Sequence, residues 1–261
     1  LAFVEWTDST AMVNGIAYNH YIFNDGYRYR GRPLGYWADG DSNLWTVGWS
    51  AATYDAWWQC QSEESSYRHY YRCLQLIGST EPDKRWLLKN PGHIENLDLL
   101  FAVFPDAKLI QTHRDPARAV PSLCSLLMPL HPIVEEGRYE QRAHNMLARE
   151  VAKWANALRK AQRVREAHPG QVLDLVHADL HRDPMAVVER IYGFIGEDLR
   201  PEARAAMLQR IADDPERQHG THDYDIADFG MTEAEIRERF GDYTSRFDLA
   251  PKGPATAGGP K

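Results

Sequence analysis

Lys89 and His93 lie four residues apart across Asn90-Pro91-Gly92, and Arg114 and Ser122 follow downstream with Asp115-Pro116 between them. A lysine near a histidine combines a group that balances negative charge with one that accepts a proton. An arginine fork near a hydroxyl is suited to holding a phosphate. Each pair flanks an X-Pro dipeptide at the end of a short apolar run. An Asn or Asp at N-cap followed by proline at N1 starts a helix, because the N–H that proline lacks would be unpaired there anyway. The remaining unpaired N–H groups of such a start attract anions. His93 falls at N3 of the first helix, where the dipole disfavours its cation and keeps the imidazole neutral. Taken singly, Lys89 and His93 also fit a surface lysine and an ordinary helix-start histidine. Arg114 also fits a structural salt bridge with Asp115 or Asp106.

The elements that must position these residues are legible from periodicity. Apolar runs at 86–89, 108–112 and 172–176 read as short buried strands. Ile94, Leu97, Leu100, Phe101 and Phe104 share one face of a helix running from Asn90-Pro91 to about Phe104. Strand, helix and strand in that order imply a parallel crossover, so both chemical pairs belong at the carboxyl edge of one sheet, where α/β folds bind phosphorylated ligands. A second helix opens at Asp115-Pro116, and further helices are expected over 62–77, 139–167, 184–196, 201–212 and 232–247. Residues 1–58 read as irregular and aromatic, with six tryptophans and glycines at 26, 31, 35 and 40. Those aromatic side chains suit an apolar ligand pocket, the core or an interface.

With 261 residues, 43% apolar and 11% aromatic, the chain can fill one core over residues 1–250, followed by a Pro/Gly/Ala-rich tail at 251–261 expected to be disordered. A net charge of −7 argues against a nucleic-acid or anionic-membrane surface and leaves a small anion as the expected partner. Cys60, Cys73 and Cys124 form no CxxC pattern, so neither a disulfide framework nor a zinc site is expected, and a reducing cytoplasm fits. No apolar run approaches the roughly 20 residues of a membrane span, and the first residues lack the sections of a signal peptide.

Lys-x-Pro-x-His at Lys89 to His93, followed by His-Arg-Asp-Pro-x-x-x-x-Pro-Ser at His113 to Ser122, resembles bacterial sulfotransferases that use 3′-phosphoadenosine-5′-phosphosulfate (PAPS). The likeness extends over residues 57–249 and takes in His177-Ala-Asp-Leu180 with Asp183-Pro184, Gly220-Thr-His-Asp-Tyr224 and Asp228-Phe-Gly230. It implies an α/β, P-loop-NTPase-like fold with a parallel sheet flanked by helices, acting on a small-molecule acceptor without a metal. It further implies that Arg114 and Ser122 hold the 3′-phosphate, with Arg217 and the loop at Gly220 and His222 closing over it. Lys89 would stabilise the moving sulfuryl group, His93 would take the acceptor's proton, and His177 would stand at the adenine, where the family has an aromatic residue.

The family's first strand and its phosphate-binding loop are expected to be missing, since no G-x-x-x-x-G-K-[ST] occurs and residues 26–40 lack the strand and helix that such a loop needs. The chain begins with Leu1 and is read as the carboxyl-terminal part of a longer enzyme or as a gene product that has lost its start. Two other classes compete: a P-loop-type kinase, and a non-catalytic nucleotide-binding remnant. With few ligands for the donor's 5′ end, turnover of PAPS by these residues alone is expected to be weak or absent. An assay showing rates like those of a full-length relative would contradict that expectation.

Overall fold

The computed structural model describes residues 3–7, 50–79, 85–213 and 224–249. Its centre is a four-stranded sheet of β1 (Phe3–Thr7), β2 (Trp86–Leu88), β3 (Lys108–His113) and β4 (Val172–Val176) in the order β2-β1-β3-β4. All three pairings are parallel. The three strands read from the sequence are present within a residue of the expected ends. β1 corrects the expectation of a vacant first strand: it pairs with both β2 and β3 and fills the gap between them. Its sequence, FVEWT, is rich in aromatic and β-branched residues that suit a strand. Five residues are too few for periodicity to separate them from an irregular aromatic segment. Any loop following β1 belongs to residues 8–49, outside the described residues, as does the tail at 251–261.

Helices cover both faces of the sheet. On one face lie α1 (Ala52–Trp58), α2 (Glu64–Gly78), a 3₁₀ turn (Pro91–Asn96), α3 (Leu97–Val103), α4 (Pro116–Leu127) and the 28-residue α6 (Tyr139–Glu166); a one-turn α5 (His131–Val134) joins α4 to α6. Leu109 packs into this side with Tyr67, Leu74, Leu100 and Phe104. Ile110, next along β3, points the other way and joins Leu175 and Val187 in a smaller core. After β4 come α7 (His177–Arg182), α8 (Pro184–Ile195) and α9 (Pro201–Ala212). The chain returns as a 3₁₀ turn (Ile226–Phe229), α10 (Glu233–Arg239) and α11 (Tyr243–Arg246).

The helix starts obey their punctuation. Asn90, Asp115 and Asp183 each precede a proline, and each side chain accepts a bond from a backbone N–H: Gly92 at 2.9 Å, Ala117 at 3.1 Å and Ala186 at 3.0 Å. Each cap contributes about 1 kcal/mol. Three expectations need correction. The single helix over 90–104 is a 3₁₀ turn followed by α3, because the chain tightens to carry His93 and Ile94 into the interior. The helix over 232–247 is two, broken at Gly241, whose φ is +60. Residues 52–58, read as irregular, are helical.

At the carboxyl ends of β3 and β4, α6 and the carboxyl-terminal segment are tied to these strands by a polar cluster. His113, fully buried, lies 2.7 Å from Asp174 and 2.9 Å from the Tyr243 hydroxyl, and it stacks on Phe247 at 3.6 Å. Arg165 of α6 donates to Asp174 and to Gln111. Burial holds the His113 imidazole below its ordinary pKa despite the carboxylate; desolvation pushes Asp174 up, but the hydrogen bond from His113 and the charge of Arg165 outweigh it and keep that carboxyl below its ordinary value. Phe229 and Gly230 bring the returning segment against α6: a β-carbon on Gly230, at φ +71, would meet the His144 ring at 2.8 Å. Gly230→Ala is therefore expected to destabilise the protein by about 2 kcal/mol in urea unfolding. Gly193→Ala, in open space on α8, is expected to be neutral or stabilising by up to about 1 kcal/mol. Equal effects of the two would contradict this packing.

Candidate active site

Parallel pairing puts the carboxyl ends of all four strands on one edge. Leu88, the last residue of β2, is level with Glu5 of β1 and so with Leu109 of β3, which runs four residues further. The edge is therefore stepped, with Arg114 roughly 13 Å further along the strand direction than Lys89. Both side chains are half-buried.

Between the two junctions lies a cavity of about 100 Å³. Pro91 and Ile94 of the 3₁₀ turn form one wall, and Arg114 with Pro116 and Val120 of α4 forms another. Trp154 of α6 and Phe240 beyond α10 close it. Arg114 is the one charged residue among those that line it; the expected electropositive hollow is largely apolar, because the caps turn proline and aliphatic side chains inward. Arg114 is available there because its neighbour is occupied. Asp115, buried at the start of α4, is held by Arg237 of α10 through Nη2 at 2.6 Å and Nε at 3.2 Å. Asp106, the other candidate partner, is at the opposite end of β3. Among the described residues no ion pair engages Arg114. Ser122 falls on the flank of α4, outside the cavity lining.

His93 faces elsewhere. A 3₁₀ turn carries three residues per revolution, so Pro91 and Ile94 share a face and His93 projects about 120° away. Its ring sits between Tyr67 and Tyr70 of α2, with the Tyr67 hydroxyl 2.6 Å from Nδ1. Only 6% of the residue is exposed, and burial lowers its pKa to about 3. The imidazole is neutral, as expected, but burial is the cause, since a six-residue 3₁₀ turn replaces the helix whose dipole was invoked.

Beyond it, Glu95 enters a group of charges that sequence inspection missed. Glu150 of α6, with no exposure, binds Lys153 at 2.8 Å and the Trp154 indole at 3.0 Å. Asn96 donates to Glu63 at 2.6 Å. Glu95 has one carboxylate oxygen sealed from solvent without a hydrogen bond; desolvation, opposed by Lys153 and reinforced by Glu63, Glu150 and Asp55, raises its pKa to about 7. Its partners come from α1, α2 and α6, and no local pattern announces such a gathering. The same holds for Arg237 and Asp115, 122 residues apart. Tyr67 was visible only as one more apolar position of α2.

His177 opens α7 directly after β4, its ring against His181 at 4.7 Å. Arg217, Gly220 and His222 lie outside the described residues. Among the described residues no group of side chains is arranged to hold a metal, and no helix is long and apolar enough to cross a membrane.

Comparison with known proteins places these features. A model of the sulfotransferase family matches residues 38–201. Omega-hydroxy-beta-dihydromenaquinone-9 sulfotransferase Stf3 of Mycobacterium bovis is 32% identical over 114 residues, which are 43% of this chain and 29% of that protein. The same protein of Mycobacterium tuberculosis gives the same figures. The chain thus spans less than a third of the length of the curated relatives it matches. The crystal structure of sulfotransferase STF9 from Mycobacterium avium superposes with a TM-score of 0.72 at 26% identity, covering 94% of this chain and 65% of that one. Sulfotransferase STF1 from Mycobacterium tuberculosis H37Rv gives 0.67 at 26% identity, over 92% and 76%.

The raised Glu95 pKa has a consequence for stability. A carboxyl that titrates higher when folded than when unfolded favours the fold below its unfolded pKa, and that contribution is lost as pH rises through the folded value near 7. Glu95→Gln is expected to raise stability by about 2 kcal/mol at pH 8 and by much less at pH 5. Urea unfolding at the two pH values measures this, and a pH-independent difference would place Glu95 in a solvated environment instead.

Proposed function

The chain belongs to the sulfotransferase family, and we propose that it moves a sulfuryl group from PAPS to a hydroxyl or amine of a small-molecule acceptor. In this reading Arg114 and Ser122 hold the 3′-phosphate of the nucleotide, with Arg217, Gly220 and His222 closing over it and His177 at the adenine. Lys89 balances charge on the transferred group. The acceptor oxygen or nitrogen forms the new bond to sulfur, the bond from sulfur to the 5′-phosphate oxygen breaks with its electrons, and the acceptor's proton passes to His93. Adenosine 3′,5′-bisphosphate leaves. Positioning of two reactants supplies much of the rate, and no metal is required. Residues 1–250 act as one unit, in the cytoplasm.

The observation that carries this reading is the availability of Arg114. It lies in the cavity shared by both junctions, and the carboxylate beside it is already taken by Arg237. A guanidinium at the carboxyl edge of a parallel sheet, outside the ion pair beside it, is suited to holding a phosphate. A second reading keeps the nucleotide and loses the transfer; the absence of a G-x-x-x-x-G-K-[ST] loop from the sequence favours it.

Calorimetric titration with adenosine 3′,5′-bisphosphate tests the common part of both. Arg114→Ala is expected to weaken binding at least about tenfold, the scale of one charge-assisted contact. His93→Ala is expected to leave affinity within about twofold while reducing any transfer from PAPS by about 100-fold or more. Unchanged affinity in Arg114→Ala would contradict the phosphate assignment. Nucleotide binding without transfer would select the second reading, and magnesium-dependent ATP hydrolysis would select a kinase.

A further inference from the structure

We propose that the cavity is a subsite for a neutral oxygen acceptor, such as a carbonyl, on a small apolar body, and that the side-chain amide of Gln111 is the donor that reads it. As a description of the molecule that receives the sulfuryl group this rests on the transfer reading; as a binding site it stands on the cavity alone. Gln111 is only 2% exposed, yet it lines the cavity together with Arg114 and Tyr243. Its Oε1 accepts from Arg165 Nη1 at 2.9 Å. A guanidinium only donates, so this bond fixes which end of the amide is oxygen. Among the described residues no hydrogen bond engages the other end, Nε2, and that nitrogen is not closed off from open space. A side chain so deeply buried meets open space only at the cavity it lines. An N–H left there without a partner costs about 1–3 kcal/mol, which an oxygen brought in by a ligand relieves.

The network behind the cavity holds this donor in place and leaves it no charge to neutralise. Leu109, Gln111 and His113 alternate onto one face of β3, the face that α6 covers. Arg165 of α6 bonds Gln111 through one nitrogen and Asp174 through the other, at 2.6 Å, so its charge is already balanced. The ionised Asp174 can only accept, and His113 Nε2, 2.7 Å away, therefore carries the imidazole proton. Burial keeps that ring neutral, which leaves Nδ1 bare. The Tyr243 hydroxyl, 2.9 Å from Nδ1, accordingly donates to it and retains only lone pairs, which disfavour an anion beside them. The remaining wall is apolar, with Ile94, Leu123, Leu158 and Phe240. An apolar cavity of ~150 Å³ takes a benzene ring, so a volume of about 100 Å³ suits a smaller one. An uncharged carbonyl compound satisfies both halves of such a site, its oxygen on Gln111 Nε2 and its hydrocarbon against the aliphatic side chains.

Nitrogen-15 spectra of the glutamine-labelled full chain, titrated with cyclopentanone and with methylenecyclopentane, test the proposal without requiring turnover. The two probes share a shape, and a CH2 group replaces the oxygen in the second. In the wild-type protein the Gln111 Nε2–H resonances are expected to shift saturably with cyclopentanone and to respond much less to the hydrocarbon. No saturable shift with cyclopentanone would overturn the proposal, and so would equal shifts with both probes. Gln111→Glu keeps an oxygen for Arg165 and removes the N–H donors. It is expected to lower the ratio of cyclopentanone to methylenecyclopentane affinity, followed through backbone amides of the cavity wall, by about fivefold or more, the scale of one neutral hydrogen bond. An unchanged ratio would overturn the role of Gln111; the wild-type arm holds even if the variant does not fold. Tighter binding of cyclopentanecarboxylate than of cyclopentanone in the same cavity would make it an anion site and overturn the proposal as well. The expected shifts in a chain that transfers nothing from PAPS would keep the subsite and refute the transfer reading, whereas transfer without any response at Gln111 would refute the subsite alone.

Discussion

Parallel pairing of β1 with both of its neighbours is the constraint on which the site depends. Strands that run one way must end on one edge, and each chain that leaves that edge must turn back as a helix. The start of such a helix has N–H groups with no partner within it. Here Asn90 and Asp115 take one of those donors each, and the prolines remove another. The next N–H groups are taken too, His93 by the Asn90 carbonyl and Arg118 and Ala119 by the Asp115 carbonyl, so the positive charge at the edge comes from the side chains of Lys89 and Arg114. Two junctions built alike, after strands that are consecutive in the chain but not neighbours in the sheet, are brought to one cavity because β1 lies between β2 and β3 and holds them in register.

The long α6 and the returning carboxyl-terminal segment turn this edge into a defined site. α6 supplies a cavity wall through Trp154, a buried ion pair through Glu150 and Lys153, and the Arg165 link to Asp174. Buried pairs of this kind add little net stability, but removing one partner is costly, and so they fix which way the elements sit. Arg237 has the same effect at the carboxyl edge of the sheet. By claiming Asp115 it anchors α10 on α4 and leaves Arg114 outside that ion pair.

Much of this was legible because it is local. The three Asx-Pro starts, the strands at 86–88, 108–113 and 172–176 and the span of α6 all follow from adjacent residues whose chemistry acts within a turn or two. The failures share a cause. Five residues of β1 are too short to show a period, and they become a strand only through two neighbours more than 80 residues away. The 3₁₀ turn that points His93 at Tyr67 rather than at the cavity is decided by packing, which overrides a periodicity that fits an α-helix equally well. Glu95 and Arg237 acquire their meaning from distant partners. The site was thus readable as a set of residue types at one edge, while the direction each side chain takes from that edge was not.

That the two strand-to-helix junctions form one anion site is the central claim, and chemical-shift mapping of the backbone amides with adenosine 3′,5′-bisphosphate addresses it most directly. The account predicts that the largest changes fall together on residues 90–93 and 114–120 and saturate with one dissociation constant. Changes confined to the opposite edge, around Asp106, Ala107 and Gln171, or two independent constants for the two junctions, would contradict it.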